Sequence, residues 1–189
     1  MTFKGDFYEV SRFRLGVRLG ERQPKIFLAA LNKQMLRLGG ELADGVLLNY
    51  LPASLVPWCV ERIREGGDAA IYAYVHCAVT DRDRYLDSGR KDLLNYAVVP
   101  AYATQFERAG YYEEMKQFQQ RWAERDRDGA LAAISDDFVD DIQIMGDADH
   151  VRAAVSGYAN SGVDVPIAFV LPWGEDRRAT VSATLQALA

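Results

Sequence analysis

The chain has 189 residues, which is enough for one domain with a substantial core and short for two. Its 49% apolar content excludes a disordered chain, and its net charge of -5 argues against a nucleic acid or an anionic membrane as a partner, since both favour a basic face. No apolar run approaches the roughly 20 residues of a membrane span, and the first ten residues lack the apolar core of a signal peptide.

Cysteine and histidine usage indicates a cytoplasmic chain without a metal centre. Cys59 and Cys77 do not form a CxxC pair, so we expect two reduced thiols. Only two histidines are present and they lie far apart, so we expect no zinc site.

The first buried strand is expected at Ile26–Leu31, a continuous apolar run that is typical of a strand covered on both faces. The residues before it are irregular. Four apolar side chains there are predicted to anchor a loop or short hairpin on a larger body: Phe7, Tyr8, Phe13 and Leu15.

A helix rich in small residues should follow the break at Asn32–Gln34. Gly39 and Gly40 each cost about 1 kcal/mol of helix propensity, which predicts that this helix approaches its neighbours closely. Ala43–Gly45 has turn chemistry, and the second buried strand is expected at Val46–Tyr50.

The next helix is expected from Pro52 to about Arg64, followed by a strand at Ala69–Thr80 in which apolar residues alternate with tyrosines and His76. The order β-α-β-α-β with short connections predicts parallel strands joined by right-handed crossovers.

The long stretch from Asp81 to Met145 is predicted to be helical throughout, cut by Pro100, Gly110 and Gly129. It is a helical insertion of about residues 81–145. One part of it, Glu113–Asp128, fits either a helix that binds a partner or a helix that packs on its own domain.

The chain should end with a helix at Ala148–Asn160, a fourth strand at Val165–Trp173 and a closing helix at Glu175–Ala189. Four βα units in series predict an α/β fold that forms half of a (β/α)8 barrel, since a complete barrel has eight strands and about 250 residues. Residues 1–189 are therefore predicted to be a single domain fragment.

Three motifs carry a resemblance to a known family: GDFYEV (Gly5–Val10), IFLAALNKQMLRLGGELADGVLLN (Ile26–Asn49), and GVDVPIAFVLPW followed by TVSATLQALA (Gly162–Ala189). They resemble the C-terminal half of luciferase-like monooxygenases, and more narrowly the branch that uses the deazaflavin coenzyme F420. On this resemblance the four strands are strands five to eight of the family barrel.

The resemblance implies a coenzyme, F420 or alternatively FMN, whose phosphate lies at the turn after the first buried strand. In this sequence the turn comprises Ala30, Leu31, Asn32, Lys33 and Gln34. Backbone N–H groups at a helix start bind anions well. Family members often have glycine where Asn32 stands, and Asn32 acting only as a helix cap remains the alternative.

The other candidate residues lie where the remaining strands end, at the mouth of the barrel. Asn49, Tyr50 and Trp173 are candidates for substrate binding, with Trp173 either stacking on a ring or closing the core. His76 is the candidate proton donor or ligand-orienting group, and a histidine hydrogen-bonded inside the barrel is the alternative.

The family resemblance implies an oxidoreductase that acts on a small organic molecule by hydride transfer or oxygenation. The groups that surround the reactive ring in this family lie mostly on strands one to four, which this sequence does not contain. The alternative is a non-catalytic, truncated half-barrel that needs a separate N-terminal half, and self-association is a further possibility for the partner.

Overall fold

The computed structural model describes residues 1–14, 16–17, 20 and 23–189. The strands are β1 (Phe3–Lys4), β2 (Glu9–Val10), β3 (Phe27–Ala29), β4 (Gly45–Leu48), β5 (Ala70–Val79), β6 (Gln143–Gly146) and β7 (Val165–Val170). The helices are α1 (Lys33–Leu42), α2 (Val56–Arg64), α3 (Arg82–Ala97), α4 (Pro100–Phe106), α5 (Tyr112–Ala123), α6 (Arg127–Ala132), α7 (Asp136–Ile142), α8 (Ala148–Asn160) and α9 (Arg177–Leu188). A 3₁₀ turn (Ala53–Leu55) precedes α2, and a π-helical turn (Glu107–Tyr111) links α4 to α5.

The four predicted strands form a parallel sheet in the predicted order. β3 pairs with β4, β4 with β5 and β5 with β7, and every one of these pairs is parallel. β4 lies beside Ala70–Ala73 of β5, while β7 lies along the opposite edge of the same strand. The half-barrel arrangement expected from the spacing of the strands is confirmed.

The prediction that residues 81–145 are helical throughout is wrong at the end of the segment. Gln143–Gly146 forms β6, which pairs in parallel with His76–Val79 and so continues along the edge of β5 that β4 occupies. A short apolar run such as this one fits a buried strand as well as the end of a helix. Gly129 lies within α6, and the chain instead turns at Arg125, which has a φ of 60°.

The principal core lies between the outer face of the sheet and the helices α1, α2 and α8. Ile71, Ala73, Val75 and Cys77 point from β5 into this core and have no exposed surface. A close approach of α1 explains its paired glycines. A Cβ atom on Gly40 would lie 2.0 Å from the carbonyl oxygen of Ile63 at the end of α2, so no larger residue fits there.

A second core belongs to the insertion and lies beyond the carboxyl ends of the strands. Its fully buried members include the side chains of Phe106, Met115, Phe118 and Phe138. Glu113–Asp128 packs Met115 and Phe118 into this core, which favours packing on its own domain over binding a partner.

The aromatic side chains before β3 do not act as anchors in this structure. β1 and β2 form the expected short antiparallel hairpin, but Phe7, Tyr8 and Phe13 are exposed. Leu15 lies outside the described residues.

Cys59 and Cys77 are free, buried thiols, and burial raises their pKa values to about 12 and about 11. In the described part of the chain, no helix is both long and apolar enough to cross a membrane. The described residues also contain no cluster of side chains suited to hold a metal ion.

Candidate active site at the carboxyl edge of the sheet

All the predicted site residues lie on one side of the molecule because the strands that carry them are parallel. The turn at Leu31–Gln34 follows β3, Asn49 and Tyr50 follow β4 directly, and Trp173 comes three residues after β7. His76 lies inside β5, three residues before the strand ends. The carboxyl edge of the sheet is therefore the candidate site.

The start of α1 is an open helix N-terminus. Asn32 occupies the N-cap position with extended backbone angles (φ −114°, ψ 156°), but its side chain makes no capping hydrogen bond. Its Oδ1 atom is buried without a partner. The first turn carries no acidic residue, and Lys33 and Gln34 are exposed. The alternative in which Asn32 only caps the helix is not what the structure shows.

Some backbone groups around this turn form hydrogen bonds in the sheet, and others form hydrogen bonds in the helix. The N–H of Ala30 donates to the carbonyl oxygen of Leu47 at 3.2 Å, so Ala30 belongs to the sheet and offers no free donor. The N–H of Leu36 makes the first helical bond, to the carbonyl oxygen of Asn32 at 2.9 Å. The groups left to receive an anion therefore lie between Leu31 and the first turn of α1.

His76 is a buried, neutral histidine held by a side-chain hydrogen bond. Its Nε2 atom lies 2.9 Å from Oδ1 of Asn49, whose Nδ2 donates to the hydroxyl of Tyr102 at 3.2 Å. Burial lowers the pKa of His76 to about 4, so the ring carries no charge at neutral pH. The hydrogen bond to Asn49 agrees with the alternative of a histidine hydrogen-bonded inside the barrel.

The second ring nitrogen of His76, Nδ1, is buried and has no hydrogen-bond partner. The ring lies between two aromatic rings, with centroid distances of 4.1 Å to Tyr50 and 4.5 Å to Phe169. Unpaired buried polar atoms cost free energy, and Nδ1 of His76 is such an atom, as is Oδ1 of Asn32.

Tyr50 is packed inside the second core. Its ring stacks on Tyr96 at 3.7 Å, and its hydroxyl donates to Oδ2 of Asp92 at 2.8 Å. The backbone of Tyr50 has a φ of 49°, a left-handed conformation, and Gln105 donates to its carbonyl oxygen and to that of Asn49. Burial raises the pKa of Asp92. The side chain of Tyr50 therefore packs in the core behind the site, and little of its surface is left to contact a substrate.

Trp173 is half-buried and packs against the second core, as the core-closing interpretation expects. Its carbonyl oxygen accepts a 2.6 Å hydrogen bond from the hydroxyl of Thr80. This bond ties the end of β7 to the end of β5.

Sequence reasoning missed the part of the site that the insertion supplies. Asp92, Tyr96, Tyr102 and Gln105 come from α3 and α4 and surround Asn49, Tyr50 and His76. The available signal was the presence of polar residues beside the apolar positions of two predicted helices.

A cavity of about 590 Å³ is lined by α8, the 3₁₀ turn before α2 and the insertion. Its one arginine, Arg82, already forms a paired hydrogen bond with Asp140 at 2.9 and 2.6 Å. The cavity includes none of the predicted site residues.

Comparison with known proteins places the chain in a family. The sequence profile of the luciferase-like monooxygenase family matches residues 1–165. The chain belongs to this family.

The chain is 24% identical to a 5,10-methylenetetrahydromethanopterin reductase of Archaeoglobus fulgidus, in a match that covers 96% of this chain and 58% of that protein. The coenzyme F420-dependent tetrahydromethanopterin reductase of Methanopyrus kandleri has a similar structure, with a TM-score of 0.74, 20% identity, and coverage of 98% of this chain and 56% of that one. An F420-dependent secondary alcohol dehydrogenase, solved with an F420-acetone adduct, gives a TM-score of 0.69 at 14% identity and covers 100% of this chain and 56% of its own.

Two facts follow from these comparisons. The structural likenesses show that this chain has the α/β fold of these enzymes, which are (β/α)8 barrels. The chain spans little more than half the length of the relatives it matches.

Proposed function

We propose that this chain is the C-terminal half of an oxidoreductase that uses coenzyme F420, with FMN as the alternative coenzyme. The observation that carries the proposal is the open N-terminus of α1, which follows β3 directly and has neither a side-chain cap nor an acidic residue in its first turn. The F420-dependent relatives support the choice of F420 over FMN.

The residues at this turn fit the phosphate of either coenzyme. A helix N-terminus carries about half a positive charge, and its free N–H groups donate hydrogen bonds to the oxygens of a phosphate. Asn32 has extended backbone angles, so this position does not require the backbone freedom of glycine. Leu31, Asn32, Lys33 and Gln34 would hold the phosphate, and Ala30 would support the turn through its bond to β4.

When bound, F420 supplies hydride transfer to or from a small organic substrate. The chain's own contribution would be to hold the phosphate and to present one neutral hydrogen-bonding atom, Nδ1 of His76, near the mouth. Asn49 fixes the orientation of that ring through its bond to Nε2. Asn49 and Trp173 border the space for substrate.

A second candidate function is a half-barrel without catalytic activity of its own. It is favoured by the length of the chain, which spans little more than half of the relatives it matches. Both candidates predict that the chain alone shows no measurable turnover, because the groups that contact the reactive ring in this family are on strands one to four.

A titration of coenzyme F420 and of FMN, followed by fluorescence, tests the proposal on the purified chain. We expect saturable binding of F420 to the parent chain and weaker binding of FMN. Turnover with reduced F420 and a secondary alcohol or ketone should be absent. An absence of binding by either coenzyme would overturn the enzyme proposal and leave the non-catalytic half-barrel, while turnover of about 1 per second by the chain alone would contradict both candidates.

A further inference from the structure

The turn that follows β4 has an unusual backbone conformation. Tyr50 has a φ of 49°, in the left-handed region that residues other than glycine adopt rarely and at a cost in free energy. Its carbonyl oxygen and those of its two neighbours, Asn49 and Leu51, all accept hydrogen bonds from side chains of distant elements. The turn is therefore held by the rest of the structure and not by its own sequence.

Gln105 of α4 supplies the bonds to two of these three carbonyl groups. Its Nε2 atom donates to the carbonyl oxygen of Asn49 at 3.0 Å and also to that of Tyr50. The side chain of Gln105 is 1% exposed, so water does not compete for these bonds. Because a carbonyl oxygen only accepts hydrogen bonds, the Nε2 side of this amide must face the turn. The third carbonyl, that of Leu51, accepts from the hydroxyl of Tyr158 at 2.7 Å.

The same helix also holds the side chain of Asn49. Tyr102 lies one helical turn before Gln105 on α4, and its hydroxyl accepts from Nδ2 of Asn49 at 3.2 Å. Oδ1 of Asn49 lies 2.9 Å from Nε2 of His76. A change in the backbone of Asn49 would move its side chain away from His76, so the bond to the histidine depends on the turn that Gln105 holds.

We propose that Gln105 is a positioning residue of the candidate active site, which fixes the turn after β4 so that Asn49 can orient the ring of His76. The inference deepens the proposed function, on which the catalytic meaning of this site rests. Every bond that carries it joins described residues of this chain, so it does not depend on what surrounds the sheet.

Nuclear magnetic resonance of the histidine rings tests the proposal, because the chain contains only two histidines. In the parent chain we expect a contact between the His76 ring and the side-chain amide of Asn49. Gln105→Met keeps a side chain of similar length but removes the donor. This variant should lose the contact and shift the ring nitrogen signals of His76, while the signals of the exposed His150 stay in place.

The control for a general loss of stability is Tyr111→Phe. Tyr111 belongs to the same second core as the site, and its hydroxyl donates to Asp141, away from the turn after β4. The variant removes a hydrogen bond from this core and should leave the contact between His76 and Asn49 intact. Loss of the contact in Tyr111→Phe as well would show that Gln105 has only a structural role.

A second measurement uses the parent chain alone and so does not depend on the folding of any variant. The side-chain amide protons of Gln105 should exchange with solvent at least about tenfold more slowly than those of Gln119, an exposed glutamine whose amide donates only to the side chain of Glu107. Equal exchange rates would overturn the proposal.

Retention of the contact between His76 and Asn49 in a folded Gln105→Met variant would overturn the proposal too, as would its absence from the parent chain. None of these measurements requires a coenzyme. A failed coenzyme titration would therefore overturn the proposed function without changing their results, and the two proposals are tested separately.

Discussion

Two kinds of helix start lie at the carboxyl edge of this sheet. α3 and α9 begin with an aspartate whose side chain accepts hydrogen bonds from the first turn. Asp81 accepts from the N–H of Arg84 at 3.2 Å, and Asp176 accepts from the N–H groups of Arg178 and Ala179 at 2.9 and 3.1 Å. α1 begins with Asn32, whose side chain accepts nothing from its helix.

The first-turn N–H groups of α3 and α9 already have a side-chain acceptor, whereas those of α1 are left for a ligand. An aspartate at the N-cap supplies both the acceptor and the negative charge that a phosphate would bring. α3 and α9 therefore have no need of an anion, whereas α1 lacks both. Of these three helix starts only α1 could hold the coenzyme phosphate in this way, and the predictions below test it. α2 also begins without a side-chain cap, but it follows β4 through a 3₁₀ turn and has a proline in its first turn.

The largest effect concerns the stability of the site at low pH. His76 has a folded-state pKa of about 4, below its unfolded value near 6.5, so its contribution to stability is complete above about pH 6.5 and is lost as the pH falls towards 4. We expect this to cost about 3 kcal/mol of unfolding free energy. Urea unfolding of the parent and of His76→Gln from pH 7 to 4 isolates the effect, and equal pH dependence in both chains would contradict it.

Coenzyme binding should be far more sensitive to the backbone of α1 than to any side chain on it. Asn32→Pro removes one N–H donor and restrains a φ that is now −114°. We expect a loss of F420 affinity of about 100-fold, equivalent to about 2.7 kcal/mol. A fluorescence titration measures it, with circular dichroism to verify the fold. An affinity within threefold of the parent would show that the phosphate lies elsewhere.

A change at the N-cap of a capped helix should alter the unfolding free energy but not the affinity for F420. Asp176→Ala removes two hydrogen bonds from the start of α9 and should lower the unfolding free energy by about 1 kcal/mol. Because α9 does not hold the coenzyme, F420 affinity should change less than twofold. The matched variant Asn32→Ala removes no capping bond and should cost well under 1 kcal/mol. A larger loss of unfolding free energy for Asn32→Ala than for Asp176→Ala would contradict the comparison.

The smallest effect is a gain. Asn32→Asp gives α1 the charge that α3 and α9 already have, and it should raise the unfolding free energy by about 0.5 kcal/mol at low ionic strength. Thermal unfolding in about 10 mM and about 1 M salt measures it, since screening removes the gain. A destabilised variant at low salt would mean that the carboxylate does not reach the first turn of α1.

The fold was predictable from the sequence where the signal is local. The apolar runs around Val46 and Val75 predicted the buried strands β4 and β5, and Gly40 indicated a close approach that the structure places against α2. The run around Leu28 predicted a strand covered on both faces; the strand is present, but Ile26 and Phe27 are exposed, so its predicted burial is wrong. β6 was missed because Ile144 and Met145 continue the apolar spacing of the preceding helix, so only pairing with β5 distinguishes a strand.

The candidate site was predictable only in part because much of it is made by distant residues. Asn32, Asn49 and His76 follow from the rule that parallel strands present their ends at one edge. The bond from Tyr50 to Asp92 spans 42 residues and that from Asn49 to Tyr102 spans 53, and no local pattern indicates either. The unpaired Nδ1 atom of His76 depends on the same packing.

The most direct test is to compare FMN with riboflavin on Asn32→Asp. The two ligands share a ring and differ by the phosphate, so the difference between them isolates that group. If the start of α1 holds the phosphate, Asn32→Asp should weaken FMN binding at least tenfold, leave riboflavin binding unchanged, and affect F420 binding as it affects FMN. His76→Ala should change coenzyme affinity less than Asn32→Asp does. Equal binding of FMN to the parent and to Asn32→Asp, together with its loss in His76→Ala, would contradict the account.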